Sequence, residues 1–86
     1  MYKVSIKNSA LKEIQRIPKD FRLKIIEVID SLAANPRPSG VKKLENFEDS
    51  YRIRVGQFRI VYKIEDRRLI VEVVKVGNRK EVYRNK

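Results

Sequence analysis

The sequence predicts an α+β layer fold: a strand, a two-helix hairpin, a three-stranded antiparallel meander and a short C-terminal helix, with the helices packed on one face of the sheet. Three observations lead there. Apolar residues alternate over residues 2–7, recur at helical spacing from Leu11 to Leu32, and alternate again after residue 50. Prolines and glycines fall at the joints between these patterns. The chain has 86 residues, enough for one domain over 1–86, because domains usually run about 50–250 residues. A chain of this size buries only roughly 60–65% of its unfolded surface, so the core is thin. A dinucleotide-binding unit with a separate substrate domain, or a barrel enzyme, does not fit.

Each element has its own signature. Tyr2-Lys3-Val4-Ser5-Ile6-Lys7 reads as a half-buried strand. Asn8-Ser9 offers an N-cap to a first helix whose apolar stripe is Leu11, Ile14 and Ile17, closed by Pro18. A second helix starts near Lys19-Asp20, carries Phe21, Ile25, Val28, Ile29 and Leu32 on one side, and ends at Asn35-Pro36. Residues 36–50 are the least regular, rich in turn formers, with Leu44 expected to anchor the loop. Tyr51, Ile53 and Val55 then alternate with Arg52 and Arg54, and Phe58, Ile60, Tyr62 and Ile64 with Arg59, Val61 and Lys63. Gly56-Gln57 between them suits a two-residue type II′ hairpin. Residues 65–68 turn the chain into a last long strand from Leu69 to Val76, stopped by Gly77.

Charge narrows the function classes. Twenty-one Lys and Arg against eleven Asp and Glu give +10, which favours a polyanion or an acidic protein partner over a neutral metabolite. The chain contains no Cys and no His, so it has neither a thiolate nucleophile nor an imidazole base, and no ordinary zinc ligand set. No cofactor and no metal are expected. Acid–base chemistry is left to Tyr, Lys or a carboxylate. The apolar runs fall far short of the ~20 residues of a membrane span, and Met1-Tyr2-Lys3-Val4 does not begin a signal peptide. A cytoplasmic protein without membrane contact is expected.

A hairpin at Gly56-Gln57 sets Val55 against Phe58, Arg54 against Arg59 and Ile53 against Ile60. A second turn centred on Asp66-Arg67 is expected to set Ile60, Tyr62 and Ile64 against Val73, Val71 and Leu69. One sheet face is then apolar, for the helices to cover, and the other carries Arg52, Arg54, Arg59 and Lys63. Like charges directly opposed cost tenths of a kcal/mol to about 1 kcal/mol. Such a pairing becomes useful when an anion sits between the two guanidinium forks. The alternatives are that both side chains splay into water or pair with Glu72. The C-terminal segment adds Lys75, Arg79, Lys80, Arg84 and Lys86 against one acid, Glu81. Asn78 and Glu81 have capping-box spacing, which would start the short helix, and Tyr83 is either a sheet-edge aromatic or part of a site with Arg79.

Read together, these segments resemble the RelE/ParE superfamily of type II toxin–antitoxin toxins, most closely the RelE-like branch. The resemblance covers nearly the whole chain. It is carried by Leu11-Lys12-Glu13-Ile14, Asn35-Pro36, Lys43-Leu44, Tyr51-Arg52-Ile53-Arg54-Val55-Gly56-Gln57-Phe58-Arg59-Ile60-Val61-Tyr62, Val76-Gly77-Asn78-Arg79 and Glu81-Val82-Tyr83. It implies a ribosome-dependent mRNA endonuclease held in check by a dedicated RelB-like, acidic antitoxin. It further implies that Arg59 holds the scissile phosphate, that Arg79 stabilises transition-state charge, and that Tyr83 is the aromatic hydroxyl that stacks on or activates the substrate nucleotide. Arg52, Arg54 and Lys43 match basic RNA-binding positions, and Lys80 adds to the basic segment beside Arg79. Asn78, Arg54 and Glu45 depart from the family pattern, where relatives carry His or Lys, a lysine proposed as general acid, and an arginine. The implied chemistry uses the substrate's own 2′-OH as nucleophile, without metal. Rival expectations are a ParE-like toxin acting on DNA gyrase, a basic RNA- or ribosome-binding module that does not cleave, and an inactive toxin kept as a scaffold.

Overall fold

A computed structural model of the chain describes residues 1–45 and 49–78. The elements follow as β1 (Lys3–Ile6), α1 (Asn8–Gln15), α2 (Lys19–Ser31), β2 (Lys42–Lys43), β3 (Ser50–Val55), β4 (Phe58–Glu65) and β5 (Ile70–Asn78). All five strands join one sheet in the order β1-β5-β4-β3-β2. The meander β3–β4–β5 is antiparallel as expected, whereas β1 lies parallel to β5, with Val4 opposite Val71 and Ile6 opposite Val73. The expected C-terminal helix lies outside the described residues. Among the described residues, no helix is long and apolar enough to cross a membrane.

The helices cover one face of the sheet through Ala10, Ile14 and Ile17 of the α1 segment and Ile25, Ile29 and Leu32 of the α2 segment. They meet Val55, Phe58, Ile60, Tyr62, Ile64, Val71, Val73 and Val76. Two helix expectations need correction. Leu11 is 42% exposed and Ala10 is buried instead, because Ala10, Ile14 and Ile17 keep the i, i+4, i+7 spacing of one face. Neither Asn8 nor Ser9 caps α1. Lys7 occupies the N-cap position while its N–H still donates to Val73 O at 2.9 Å, so the strand runs straight into the helix. The second helix stops at Ser31, and a turn brings the chain to a buried Pro36.

The first hairpin has the expected register, Arg54 opposite Arg59 and Ile53 opposite Ile60. Gly56 takes φ +60°, and a Cβ there would come within 3.3 Å of the Phe21 ring. Phe21 in turn meets Phe58 edge-on at 5.3 Å, so the start of α2 seats the hairpin tip. Glycine satisfies both the backbone angle and the close approach.

The second turn differs from the expected register. Residues 66–69 form the connection, with Leu69 at φ 53°, and pairing resumes at Glu65 opposite Ile70. Ile64 therefore faces Val71, and Tyr62 faces Val73. A β-bulge then intervenes: Val61 stands opposite Lys75, leaving Val74 as the extra residue, and Ile60 meets Val76. Strict alternation from Val71 and Val73 would aim Lys75 at the core. The bulge gives that place to Val76, which is 1% exposed. In the loop expected to be irregular, Lys42 and Lys43 form a short edge strand opposite Arg52 and Tyr51.

Candidate nucleic-acid interface

The face of the sheet away from the helices is built by parity. Residues directly opposite one another in antiparallel strands point to the same side. Arg54 and Arg59 therefore share the open face, and Arg52 joins them two residues along β3. Cross-strand Cβ atoms lie about 4.5–5.5 Å apart and diagonal ones about 7–8 Å, so the three arginines leave the sheet from one small patch. Their cross-strand neighbours are Lys42 for Arg52, Val61 for Arg52 on the other side, and Gly77 for Arg59. None is acidic. Gly77 also presents no side chain beside Arg59.

The three arginines differ in exposure. Arg54 is open to solvent, Arg52 is half-buried, and Arg59 is only 3% exposed. Val61 and Ser50 are also buried but lie outside the helix-side core cluster, so the middle of this face is a covered surface rather than a fully wet one. A cation in such surroundings feels a lower dielectric, and its pull on an anion is stronger than in bulk water.

Other charges sort by row. Lys63 stands opposite both Ser50 and Glu72, and Glu72 opposite Ser5. Glu72, weighed as a partner for the arginine pair, is thus placed beside Lys63. That position is four residues along β4 from Arg59, or about 13 Å at strand rise. A concavity lined by Ser5, Lys63, Glu65, Arg68, Ile70 and Glu72 marks this mixed-charge end of the face. The open face is cationic at the Gly56 hairpin end and mixed at the turn of residues 66–69.

Lys43 shares its register position with Tyr51, on the helical side of the sheet, and Lys42 is the one opposite Arg52. Sequence reading missed Lys42 because nothing in Lys42-Lys43 announces a two-residue strand or its parity. Arg79, Lys80 and Tyr83 lie outside the described residues, so of the predicted set the fold brings together Arg52, Arg54 and Arg59. Lys75, counted with the C-terminal cations, is engaged elsewhere: its Nζ donates to Glu13 Oε2 at 2.9 Å. Among the described residues, no cluster of three or more acids forms a metal-binding group.

A second polar cluster sits at the opposite end of the sheet. Arg37 grips Asp66 with both terminal nitrogens, Nη1 to Oδ1 at 3.2 Å and Nη2 to Oδ2 at 2.9 Å. Tyr2 donates its hydroxyl to Asp66 Oδ1 at 2.6 Å, and the Arg37 guanidinium lies 5.2 Å above the Tyr51 ring centre. The Arg37 hydrogen bonds, followed by that of Tyr2, hold the Asp66 carboxyl below the usual range, and the same carboxylate pushes the Tyr2 phenol up. Below them Tyr62 stacks on Tyr51 and donates to Pro36 O at 2.8 Å. Burial pushes its phenol up to about 12, so it stays protonated and is no candidate base. Every group in this cluster is matched to a neighbour, which makes it a staple for the loop after α2.

Comparison with known proteins agrees with this architecture. A family model described as "ParE toxin of type II toxin-antitoxin system, parDE" matches residues 4–83. The chain is 32% identical to "Putative toxin RelE1" of Methanocaldococcus jannaschii, over 98% of this chain and 97% of that protein. It is 31% identical to the "mRNA interferase toxin RelE" of Escherichia coli K12, over 95% and 90% of the two chains. Among solved structures, the archaeal RelE-RelB complex of Pyrococcus horikoshii superposes with a TM-score of 0.81 at 30% identity, covering 91% of this chain and 94% of that one.

Proposed function

Because the chain belongs to the RelE/ParE superfamily of type II toxins, in its RelE-type branch, we propose that residues 1–86 form a single toxin domain that cleaves mRNA on the ribosome and is neutralised by a RelB-like antitoxin. The observation that carries this reading is the Arg54–Arg59 pair with Arg52 beside it on the open face. A fold under selection for stability alone gains nothing from opposed guanidinium groups. An RNA phosphate between them turns the repulsion into attraction. The likeness to an E. coli mRNA interferase and the RelE-RelB pairing of the P. horikoshii structure support the substrate and the partner.

In the proposed reaction the 2′-oxygen of one nucleotide attacks the adjacent phosphorus. The 2′-O–P bond forms, the P–O5′ bond breaks, and the products are a 2′,3′-cyclic phosphate and a free 5′-OH. Arg59 and Arg79 neutralise the equatorial oxygens of the phosphorane, and Arg54 stabilises the leaving 5′-oxygenate. A guanidinium with a pKa above about 12 hardly donates its proton, so that oxygen takes its proton from water. Tyr83, a phenolate once surrounding cations lower its pKa, accepts the 2′-OH proton and passes it to the hydroxide that the water leaves behind. Arg52, Lys42 beside it and Lys80 hold flanking phosphates, and Lys43, on the helical side of the sheet, has no part in this. With no imidazole and no thiolate in the chain, catalysis rests on positioning and charge stabilisation, to which a ribosome that splays the message in line contributes. This route requires no metal.

The test is single-turnover cleavage of mRNA on translating ribosomes with product ends mapped. The expected result is a cyclic phosphate and a 5′-OH, with cleavage abolished by a 2′-deoxy nucleotide at the scissile position. Since the matching family model carries the ParE description, gyrase supercoiling is assayed beside it. Inhibition of gyrase with intact mRNA would replace this reading with the ParE-like one.

A further inference from the structure

Strand β5 outlasts its parallel neighbour. The strand β1 ends at Ile6 opposite Val73, Lys7 N–H closes the ladder on Val73 O, and the chain turns into α1. Beyond that point β5 has β4 on one side and, among the described residues, no strand on the other. The bulge falls in this stretch. There Glu13, the one acid of α1, supplies what a strand would. Val76 N–H donates to Glu13 Oε1 at 3.0 Å, and Lys75 Nζ donates to Glu13 Oε2 at 2.9 Å. One carboxylate holds two consecutive residues, the backbone of one and the side chain of the other.

The register shows what depends on that grip. Before the bulge Tyr62 pairs with Val73 and Ile64 with Val71. Continued without a bulge, the same register would set Lys75 opposite Ile60 and Val76 opposite Arg59. An ammonium would face the core and an isopropyl group would stand beside the arginine. With the bulge, Val76 faces the core and Gly77 stands beside Arg59. The bulge therefore decides whether the open face has room next to its most buried cation, and the Glu13 carboxylate is bonded to both residues whose places it exchanges.

We propose that Glu13 is a positioning residue for the cleavage reaction: its carboxylate locks the β5 bulge and so keeps Gly77, rather than Val76, opposite Arg59. The inference rests on the nuclease reading for its functional consequence and on backbone geometry for the lock itself. Glu13 lies on the helical layer, away from the open face, so it acts through β5 and touches no substrate.

The experiment uses the full chain with Glu13→Ala, Glu13→Gln and Lys75→Met. Two quantities are read: amide hydrogen exchange at Val76 in the free protein, and the maximal rate and half-saturating concentration of single-turnover cleavage. Glu13→Ala is expected to speed Val76 exchange about tenfold or more while amides of the Gly56 hairpin keep their protection. Its maximal cleavage rate falls about tenfold or more, with the half-saturating concentration within about twofold, because a small misplacement near the reacting atoms lowers rate more than binding. Glu13→Gln retains an oxygen for the Val76 N–H and stays within about threefold of wild type in both readouts. Lys75→Met leaves the carboxylate in place and does the same. Val76 exchange unchanged in Glu13→Ala, or a folded Glu13→Gln that loses cleavage as far as the alanine variant does, overturns the lock. Should Glu13→Ala fail to fold, Glu13→Met, which keeps the length of the side chain and removes both oxygens, is judged by the same two readouts and the same limits. A wild-type chain that leaves ribosome-bound mRNA intact overturns the nuclease reading alone, and the Val76 amide then judges the lock.

Discussion

The two ends of the sheet use arginine in opposite ways. At the turn end, Arg37 meets Asp66 in a bidentate pair, lies over the Tyr51 ring and helps pin the loop after α2 to the β4–β5 turn. At the hairpin end, Arg54 meets Arg59. The first arrangement is a charge matched within the fold. The second places like charges together on a sheet face, where a neutral or opposite pair would be more stable. The same side chain stabilises the molecule where the fold gives it a carboxylate, and where the register sets it opposite another guanidinium it is the one proposed above to take an RNA phosphate. The first set of residues is read as structure and the second as function.

The largest expected effect breaks the hairpin end. Arg59→Ala lowers single-turnover cleavage about 10²–10³-fold, equivalent to ~3–4 kcal/mol of transition-state stabilisation, as loss of one oxyanion-type donor does. Arg79→Ala is expected to do the same. An Arg37→Met variant, which removes a cation from the other end, keeps its cleavage rate per folded molecule. Equal losses in Arg59→Ala and Arg37→Met would erase the distinction between the ends.

Next comes the turn end. Tyr62→Phe removes the hydroxyl that reaches Pro36 O and leaves a buried carbonyl unmatched, which costs about 1–2 kcal/mol in denaturant unfolding. Cleavage by the folded fraction is unchanged. A smaller effect has opposite signs in the two assays. Arg54→Glu replaces a like-charge pair with an opposite one and is expected to raise stability by tenths of a kcal/mol to about 1 kcal/mol. The same change weakens RNA binding and lowers its salt slope by about 1 or more. A variant that loses both stability and binding would show that Arg54 serves the fold after all.

The smallest effect is acid sensitivity at the turn end. The Asp66 pKa is depressed in the folded protein by Arg37 and Tyr2. Its contribution is present above the unfolded value, about 4, and is lost as pH falls through the lower folded value. The unfolding midpoint of wild type should therefore decline more steeply with acid than that of Asp66→Asn. The pair is exposed, so the difference is small.

Much of the Gly56 hairpin was legible before any coordinates. A glycine-led two-residue turn admits one register, and that register alone sets Arg54 against Arg59. The second turn was not legible in the same way. Residues 66–69 allow more than one loop length, and Leu69 at φ 53° is a conformation that its side chain does not announce. The bulge at Val74 is equally silent, since Val73-Val74-Lys75-Val76 reads as ordinary strand. The Glu13 contact joins residues 62 and 63 apart in the chain, and the Arg37–Asp66 pair joins residues 29 apart. Composition gives the members of such pairs and leaves their pairing open.

By itself the sequence determined the α+β class, the helical hairpin, the apolar stripe of α2, and an open face carrying Arg52, Arg54 and Arg59. Each follows from local periodicity and one tight turn, where neighbours in sequence fix geometry. Only the tertiary structure decided that β1 joins β5 in parallel, that Lys42 and not Lys43 shares the arginine face, that Arg59 is nearly covered, and that Gly77 stands beside it. Those outcomes depend on contacts between distant segments, whose free energies are small differences among competing registers and are settled only when the whole sheet and its helical layer assemble.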